Sequence, residues 1–164
     1  VTWHVIDLDD SVAKRAAVRA AHVIVTATNA SASLFDSADL SPGCHLNCIG
    51  SYRPTTREID SNVVKRAAAA GTLVVDCLPA IDEAGDLCIP KAEGVDVSAV
   101  QTLGYWLHRV ASPRTQGTGS EVLRSEFDAV SIFKSVGTAV QDVATAQLAL
   151  ESAERQQLGS RIAL

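Results

Sequence analysis

Two short apolar runs in this chain end in small polar residues of the kind that can bind a ligand at the end of a strand. The first run ends in Thr26, Thr28 and Asn29, and the second ends with the apolar Ile49 followed by Gly50 and Ser51. In an open parallel sheet, ligands bind in the crevice beyond the carboxyl ends of the strands. We therefore predict one ligand site that both runs share.

The chemistry of these residues suits a nucleotide. A hydroxyl or an amide can hold ribose hydroxyls or a carboxamide, while plain turn formation explains the same residue types. Gly50 would permit close backbone approach, and Ile49 offers an apolar face to a flat ring. A glycine in a β-bulge would need no ligand. On the residues alone, both alternatives stay open.

A third group lies near the C-terminus. The segment 133–137 places the hydroxyl of Ser135 and the backbone N–H of Gly137 at the start of a predicted helix. A helix N-terminus carries positive partial charge and suits a polar or anionic ligand group, although an N-cap serine needs no ligand. Asp82 and Glu83 are candidates for the same region, and a solvated helix face would explain them equally well.

The elements that would position these groups alternate between strands and helices. Uncharged apolar runs are typical of strands in a covered parallel sheet, and helical spacing between them predicts crossover helices. The predicted strands are 3–8, 22–27, 44–49, 73–76 and 130–133. The first predicted helix runs from a cap at 9–11 to about Ala21. The second starts at a capping box Thr55-x-x-Glu58 or at a cap at 60–61 and ends at Gly71. A short helix ends at 83–84, and two more cover 97–110 and Ser135 to Gly159.

Three predicted helices have assigned inner faces, which Val63, Val64 and Ala67 form in the helix that ends at Gly71. On a helical wheel, the first places Val12 and several alanines inward and Val18 on its polar side. In the helix at 97–110, the inward face consists of Val100, Leu103, Trp106, Leu107 and Val110. The stretch 111–128 has no clear periodicity and reads as an unusually long loop, either mobile or a former interface. The whole pattern predicts an α/β fold with a parallel sheet, flanking helices and a long C-terminal helix.

Composition excludes some partners. A chain of 164 residues with a net charge of −5 and a pI near 5.3 argues against a nucleic-acid or anionic-membrane surface as its main partner. No apolar run approaches the ~20 residues of a membrane span, and no signal peptide opens the chain. We expect a cytoplasmic protein. Because the chain opens at Val1, next to a predicted strand, we expect a fragment of a longer domain.

Metal and disulfide sites are not expected. The four cysteines have no C-x-x-C spacing and mostly lie in or beside apolar runs, which favours buried free thiols over disulfides or zinc. The four histidines do not cluster in sequence, so they do not predict a metal site.

Several motifs, in order and at compatible spacing, resemble the ornithine cyclodeaminase/mu-crystallin family. They lie at 23–29, 42–51, 53–60, 75–76, 83–86, 89–90, 92–94, 133–137 and 141–142. The resemblance covers about residues 20 to 159, is weak between 95 and 129, and concerns only the second half of that family's chain.

This resemblance implies a partial NAD(P)-binding, Rossmann-like domain over residues 1–134. The C-terminal helix, within 135–164, would return to an N-terminal dimerisation domain outside this chain, and the full-length parent would be a homodimer. The cofactor would be NAD or NADP, and the parent's substrate a small amino or imino acid. The implied cofactor-binding residues are Thr26, Thr28, Asn29, Ile49, Gly50, Ser51, Glu83, Ser135 and Gly137.

Departures from the family limit the assignment. The chain has no G-x-G-x-x-G/A after a first strand, and the family's substrate-binding lysine and arginines lie upstream of Val1, so no catalytic residue is assigned. At the position of the cyclodeaminase aspartate this chain has Tyr52, and a phenol does not accept an amine proton at neutral pH as a carboxylate does. Around Gly104 the family's glutamates are also missing.

Three hypotheses follow. The first is the cofactor-side half of an NAD(P)-dependent imine reductase or amino-acid dehydrogenase, inactive by itself. The second is a non-catalytic protein that binds NADPH and a small ligand, as mu-crystallin-type members do. The third is a degenerate remnant that associates through an exposed sheet edge.

Overall fold

The computed structural model describes residues 2–7, 9–111, 129–160 and 162. The predicted loop at 111–128 therefore lies, beyond Ala111, outside the described residues.

The described strands form one sheet in which every strand is parallel to its neighbours, in the order β1-β2-β5-β3-β4. The strands are β1 (Val23–Thr26), β2 (His45–Cys48), β3 (Leu73–Val75), β4 (Gln101–Thr102) and β5 (Ser131–Lys134). The last strand thus lies in the middle, where His45 pairs with Ser131 and Leu73 with Ile132. The predicted α/β fold with a parallel sheet is confirmed.

Six α-helices and a short 3₁₀ helix (Ser37–Asp39) connect or follow the strands in the described part of the chain. The α-helices are α1 (Ser11–Ala20), α2 (Ser61–Ala70), α3 (Ala80–Glu83), α4 (Gly85–Ala92), α5 (Leu103–Ala111) and α6 (Ala139–Gln156). The second of these ends at Gly71, as predicted, because Gly71 adopts φ +71°, a left-handed conformation that glycine accepts without strain.

The core lies on one face of the sheet, beneath α2 and α4. Alternate strand residues point to that face because side chains alternate along a strand. The buried residues include Leu46, Cys48, Leu73, Val75 and Ile132 from the strands and Val63, Val64, Ala67 and Leu87 from the helices. Each Val, Leu or Ile side chain contributes about 1.5–3 kcal/mol by leaving water. The predicted alternation along β2 is confirmed.

The opposite face of the sheet is less covered. There α5 packs beside β3 and β4, whereas Val23 and Val25 of β1 are 58% and 60% exposed. Helices on both faces were predicted, and at β1 this is wrong for the described residues, since none of their helices covers that side of the strand.

The predicted strand at 3–8 is wrong for the residues that the structure describes there. Residues 2–7 have no regular secondary structure and are exposed. A strand requires a partner, and the free edge of the sheet on that side belongs to β1, which pairs only with β2 among the described strands.

The inner face of α1 was also predicted wrongly. Val18 is the buried residue of this helix, and Val12 is 78% exposed. The reason is electrostatic as well as apolar, since Arg15 and Arg19 both bind the buried carboxylate of Asp39, at 3.0 and 2.7 Å. These two contacts orient α1 so that the side that carries Arg15, Val18 and Arg19 faces the 3₁₀ helix.

The predicted helix at 97–110 begins later than expected. Gln101 and Thr102 form β4 and the helix starts at Leu103. Leu103 and Leu107 are 41% and 60% exposed, so these two predicted inward residues are not buried, while Trp106 is half-buried. Helical spacing did not reveal the short strand because β4 is only two residues long.

The long C-terminal helix is confirmed, but both predicted ends are wrong. It starts after Thr138, whose N–H donates to the Gln141 side chain at 3.1 Å, rather than after Ser135. It ends before Gln157, which adopts the left-handed conformation (φ 55°), whereas Gly159 was expected to end it. None of the residues of α6 is buried.

The bare edge and face of β1 predict self-association. An exposed strand edge presents unpaired backbone groups, and a lysine on an edge strand opposes pairing with another chain. We expect the protein to associate with rising concentration, and Val25→Lys to return it toward a monomer in sedimentation velocity.

The matched control is Val12→Lys, which adds the same charge at an exposed valine outside the sheet. It should leave association unchanged. A protein that stays monomeric at all concentrations, or a control that acts as strongly as Val25→Lys, would rule out association through β1.

Candidate functional site

All the predicted strand-end groups lie at one edge of the sheet because the strands are parallel. This edge, which we call the rim, consists of residues 27–29 after β1, 49–51 after β2, 76–77 after β3 and 135–137 after β5. The structure thus brings together the candidates predicted on these segments, with Thr26 as the last residue of β1. Glu83, by contrast, is the exposed last residue of α3.

The predicted capping box of Thr55 and Glu58 is wrong. The next helix begins at Ser61, with Asp60 as its cap, and the Asp60 carboxylate accepts from the backbone N–H groups of Asn62 and Val63 at 2.8 and 3.0 Å. Glu58 lies before the helix and is fully buried. The sequence has the spacing of a capping box, but the Glu58 side chain does not cap this helix.

The Glu58 carboxylate joins the ends of β1 and β2. Its Oε2 atom accepts from the Thr26 hydroxyl at 2.8 Å, from the Gly50 N–H at 2.9 Å and from the Ser51 N–H at 3.3 Å. Its Oε1 atom accepts from both the N–H and the hydroxyl of Thr28, at 2.6 and 2.8 Å. Four residues predicted to bind a cofactor are therefore bound to one buried side chain.

These donors keep Glu58 ionised. Burial by itself would raise the pKa of this carboxyl, but the hydrogen bonds from Thr28, Thr26 and Gly50 together hold the pKa below its ordinary value. A carboxylate that accepts several hydrogen bonds is stabilised in its charged form, so the charge is part of the structure at neutral pH.

Gly50 is required by this arrangement. A Cβ atom at this position would lie 2.1 Å from the backbone oxygen of Thr28 and 2.4 Å from Oε1 of Glu58. The close approach that the structure shows is thus between two segments of the chain. A ligand was predicted to require the glycine, but the packing of the two strand ends is enough to require it.

Asp76 joins the other two strand ends. Its Oδ2 atom accepts from the Ser135 hydroxyl at 2.7 Å, the Val136 N–H at 3.0 Å and the Gly137 N–H at 2.7 Å. Burial would raise the pKa of Asp76, but these bonds and that from the Cys77 N–H hold it below its usual range. Ser135 thus serves as a donor to Asp76 rather than as the cap of α6.

A buried ion pair lies beneath the rim. Asp86 and Lys134 are fully buried, with Nζ 3.2 Å from Oδ2. Neither of these atoms has a partner in hydrogen-bond geometry, so the contact is electrostatic. Burial raises the pKa of Asp86, and the opposing effect of the Lys134 ammonium does not overcome it.

This ion pair connects β5 to Glu58. The Oδ1 atom of Asp86 accepts from the backbone N–H of Glu58 at 2.7 Å and of Ile59 at 3.2 Å. The Asp86 N–H donates to the Ser51 hydroxyl at 3.2 Å. Neither Glu58 nor this pair was predicted as part of the site. The available signal was a lysine at the end of an apolar strand and an acid, Asp86, directly after a glycine.

Some side chains of the rim remain open to a ligand. Ile49 is 47% exposed at the end of β2, and Asn29 is exposed after β1. Nearby, Tyr52 is 51% exposed, and the guanidinium of Arg53 lies 4.9 Å from the centre of its ring. The rim thus presents an apolar side chain and an amide on loops that buried side chains hold in place.

Two further concavities lie away from the rim. One of about 560 Å³ lies between α2 and the segment after α4 and includes Lys65 and Glu93. Another of about 480 Å³ lies on the less covered face of the sheet and includes His45, Trp106 and Phe133. Neither contains the predicted cofactor-binding residues.

Within the described residues, no group of three or more His, Cys, Asp or Glu side chains is placed to hold a metal ion, and no helix is long and apolar enough to cross a membrane. All four cysteines are free, Cys44 and Cys48 buried and Cys77 and Cys88 half-buried. Burial, with a smaller effect from the Asp86 carboxylate, raises the pKa of the Cys48 thiol to about 12.

A family model for ornithine cyclodeaminase/mu-crystallin matches residues 5–157. The chain belongs to this family. The resemblance predicted from the motifs is confirmed, and the match extends further toward the N-terminus than the motifs did.

Similar proteins include a Δ(1)-pyrroline-2-carboxylate reductase of Bacillus cereus, 37% identical over 147 residues, which cover 89% of this chain and 42% of that protein. The Thermococcus litoralis Δ(1)-pyrroline-2-carboxylate reductase in complex with NADH and L-proline matches with a TM-score of 0.73 at 29% identity, over 90% of this chain and 42% of that one. An archaeal alanine dehydrogenase dimer with bound NAD matches with a TM-score of 0.72 at 28% identity, over 92% and 43%. The chain spans less than half the length of these relatives, and its Rossmann-like fold is confirmed.

The buried ion pair leads to a prediction about stability. Lys134→Met leaves the Asp86 carboxylate buried without a counter-charge, and we expect the free energy of unfolding in urea to fall by about 3–5 kcal/mol. The double variant Lys134→Met/Asp86→Asn should recover part of this loss, because the asparagine oxygen still accepts from Glu58 and Ile59.

A double-mutant cycle of Lys134→Met and Asp86→Asn measures the interaction energy of the pair. If the losses of the two single variants add up to the loss of the double variant, the two side chains do not interact as proposed. Lys65→Met, at an exposed position of α2, is the control and should change the free energy of unfolding by less than about 0.5 kcal/mol.

The Asp76 contacts lead to a prediction about pH. Asp76→Asn replaces a charged acceptor, and we expect it to lower the free energy of unfolding by about 1–2 kcal/mol at pH 7. Because the folded pKa of Asp76 is depressed, the difference between wild type and variant should be constant above about pH 5. It should then shrink as the pH falls through the folded pKa.

Asp82→Asn is the matched control, since the Asp82 carboxylate is 72% exposed in its ion pair with Lys91. It should cost at most about 0.5 kcal/mol. A difference for Asp76→Asn that grows toward low pH would contradict the assignment of an ionised Asp76.

Proposed function

We propose that this chain is the nicotinamide-binding part of an NAD(P)-dependent reductase that acts on small cyclic imino acids or the matching amino acids. The observation that carries the proposal is the part of the rim after β1 and β2, where Glu58 fixes the backbone beside the exposed side chains of Ile49 and Asn29. Support comes from the 37% identity to a pyrroline-2-carboxylate reductase and from the likeness to enzymes solved with NADH or NAD.

The rim residues fit the nicotinamide half of the cofactor. Ile49 presents an exposed apolar side chain against which a flat ring could lie, and Asn29 presents an exposed amide that could bond a polar group of the cofactor. The pyrophosphate half is not matched in this way, because the sequence contains no G-x-G-x-x-G turn.

The chemistry is a hydride transfer. When bound, the reduced nicotinamide would supply a hydride to the carbon of a C=N bond, whose nitrogen takes up a proton. The residues of this chain would orient the ring and exclude water from one side of it. The carboxylates of Glu58 and Asp76 are saturated by hydrogen bonds and ionised, so neither serves as the proton donor. We therefore propose that these 164 residues do not turn over substrate by themselves.

Tyr52 favours reduction over cyclodeamination. It stands where the resemblance puts the aspartate of the cyclodeaminases, and it is exposed rather than held in the buried network. The same residue is compatible with a second function, a non-catalytic protein that binds NADPH and a small ligand. A ligand bound tightly with cofactor, without oxidation or reduction, would favour that alternative.

The wider organisation follows from the same proposal. Residues 1–134 would contribute to the nucleotide-binding domain, and residues 135–164 would pack on a second domain in a homodimer. The exposure of Val140, Val143, Leu148 and Leu150 on α6 supports this, since exposed apolar side chains grouped on one helix often mark a surface that other protein covers.

Cofactor fragments test the proposal directly. We expect the chain to bind NADH and reduced nicotinamide mononucleotide with similar affinity in calorimetry, and not to bind ADP-ribose, because only the nicotinamide end is matched. Ile49→Asp should weaken binding of the mononucleotide at least about tenfold, by removing the apolar face.

Leu148→Asp, at an exposed leucine of α6, is the matched control and should leave binding unchanged. Absence of mononucleotide binding, or an Ile49→Asp variant that binds like wild type, would overturn the proposed site. Reduction of Δ(1)-pyrroline-2-carboxylate by NADH with this chain alone would contradict the proposed lack of turnover.

A further inference from the structure

Burial of an ionised Glu58 at this position costs free energy. The residue is fully buried and ionised, and it lies near a second buried carboxylate, Asp86, with Lys134 as the buried cation. Two acidic groups and one basic group are thus buried together. Apolar residues of similar volume often stabilise a fold at least as well as buried ions.

The partners of Glu58 are not spread through the core. All five hydrogen bonds to its carboxylate come from the last residue of β1 or from the rim residues that follow β1 and β2. Ile49 directly precedes Gly50, and Asn29 directly follows Thr28, so each of the two open rim side chains is next to a residue that Glu58 holds.

We propose that Glu58 is a positioning residue for the nicotinamide site. Its carboxylate fixes the end of β1 against the end of β2 and so holds Ile49 and Asn29 in place before the cofactor arrives. This inference rests on the proposed function, whose cofactor site it deepens. Ordering the loops in advance removes a cost that binding would otherwise carry.

The ion pair extends this device to β5. Asp86 holds the backbone of Glu58 and Ile59 through Oδ1 while its Oδ2 faces Lys134, the last residue of β5. Ser135 follows immediately and is bound to Asp76. The strand ends on both sides of the nicotinamide position are therefore linked through buried charges.

The charge of Glu58 can be separated from its size. Glu58→Gln keeps the volume, but one of its two acceptor oxygens becomes an NH₂ group, which donates. That group must then face either the N–H of Thr28 or the N–H groups of Gly50 and Ser51, and donors cannot bond to one another. Packing is preserved while the link between the two strand ends is broken.

The test combines ligand binding with amide hydrogen exchange on the 164-residue chain. For Glu58→Gln we expect reduced nicotinamide mononucleotide to bind about tenfold more weakly, the range for loss of hydrogen bonds to a charged group. Exchange at the amides of Thr28, Gly50 and Ser51 should quicken about tenfold or more, while amides of β3 and α2 keep wild-type rates. A purely structural role would speed exchange across the core instead.

Glu151→Gln, on the exposed surface of α6, is the matched control and should change neither quantity. If wild type fails to bind the mononucleotide, the proposed function fails, and the exchange rates still decide whether Glu58 positions the strand ends. If the mononucleotide binds and Glu58→Gln shows wild-type affinity and exchange, the positioning role is overturned.

A milder variant covers the case in which Glu58→Gln does not fold. Thr26→Val removes one hydroxyl donor without changing shape or charge, and it should quicken exchange at Thr28 and Gly50 about threefold and weaken mononucleotide binding in the same direction. Unchanged exchange and binding in Thr26→Val would overturn the proposal.

Discussion

The need of one buried carboxylate for hydrogen-bond donors governs the architecture of this chain. An ionised side chain as deep as Glu58 is tolerated only when its oxygens are satisfied. The nearest donors belong to the ends of two adjacent strands, so satisfying the charge fixes those ends at a set distance. That distance excludes any side chain at position 50, which is why the residue there is glycine. The arrangement of these strand ends is thus a consequence of the hydrogen bonds that the buried charge requires.

Two carboxylates divide the rim between them. Glu58 holds the ends of β1 and β2, and Asp76 holds β3 to the segment after β5, so each acid links two neighbouring strands of the sheet. Lys134, at the end of β5, is connected to Glu58 through Asp86. Ionised carboxylates only accept hydrogen bonds, and here they bind backbone N–H groups just beyond the last bonds between the strands. The rim is therefore ordered both by backbone bonds, such as those from Ile49 to Thr26 and from Ser135 to Cys48, and by these side chains.

Much of the fold could be read from the sequence, because apolar runs and glycine stops act locally. The strands β2, β3 and β5 follow from uncharged runs, and the end of α2 follows from Gly71. The family could be recognised from ordered motifs, and it led to residues that do gather at the rim. Glu58 could not be predicted in its role, since the local rule for helix caps explained it falsely and its true partners lie up to 32 residues away. The inward turn of Val18 was hidden for the same reason, because it depends on the distant Asp39.

The solvent-exposed state of α6 has a consequence for how this protein unfolds. A helix of 18 residues is about 27 Å long, yet none of its side chains is buried, so its melting exposes no core and is not coupled to the sheet. Its helicity rests on alanine propensity and on the contact at Thr138, and such a helix loses structure gradually with temperature. The sheet and α2 share one core and melt as a cooperative unit. Far-ultraviolet circular dichroism and near-ultraviolet signals therefore report different events, and a single melting temperature does not describe the chain.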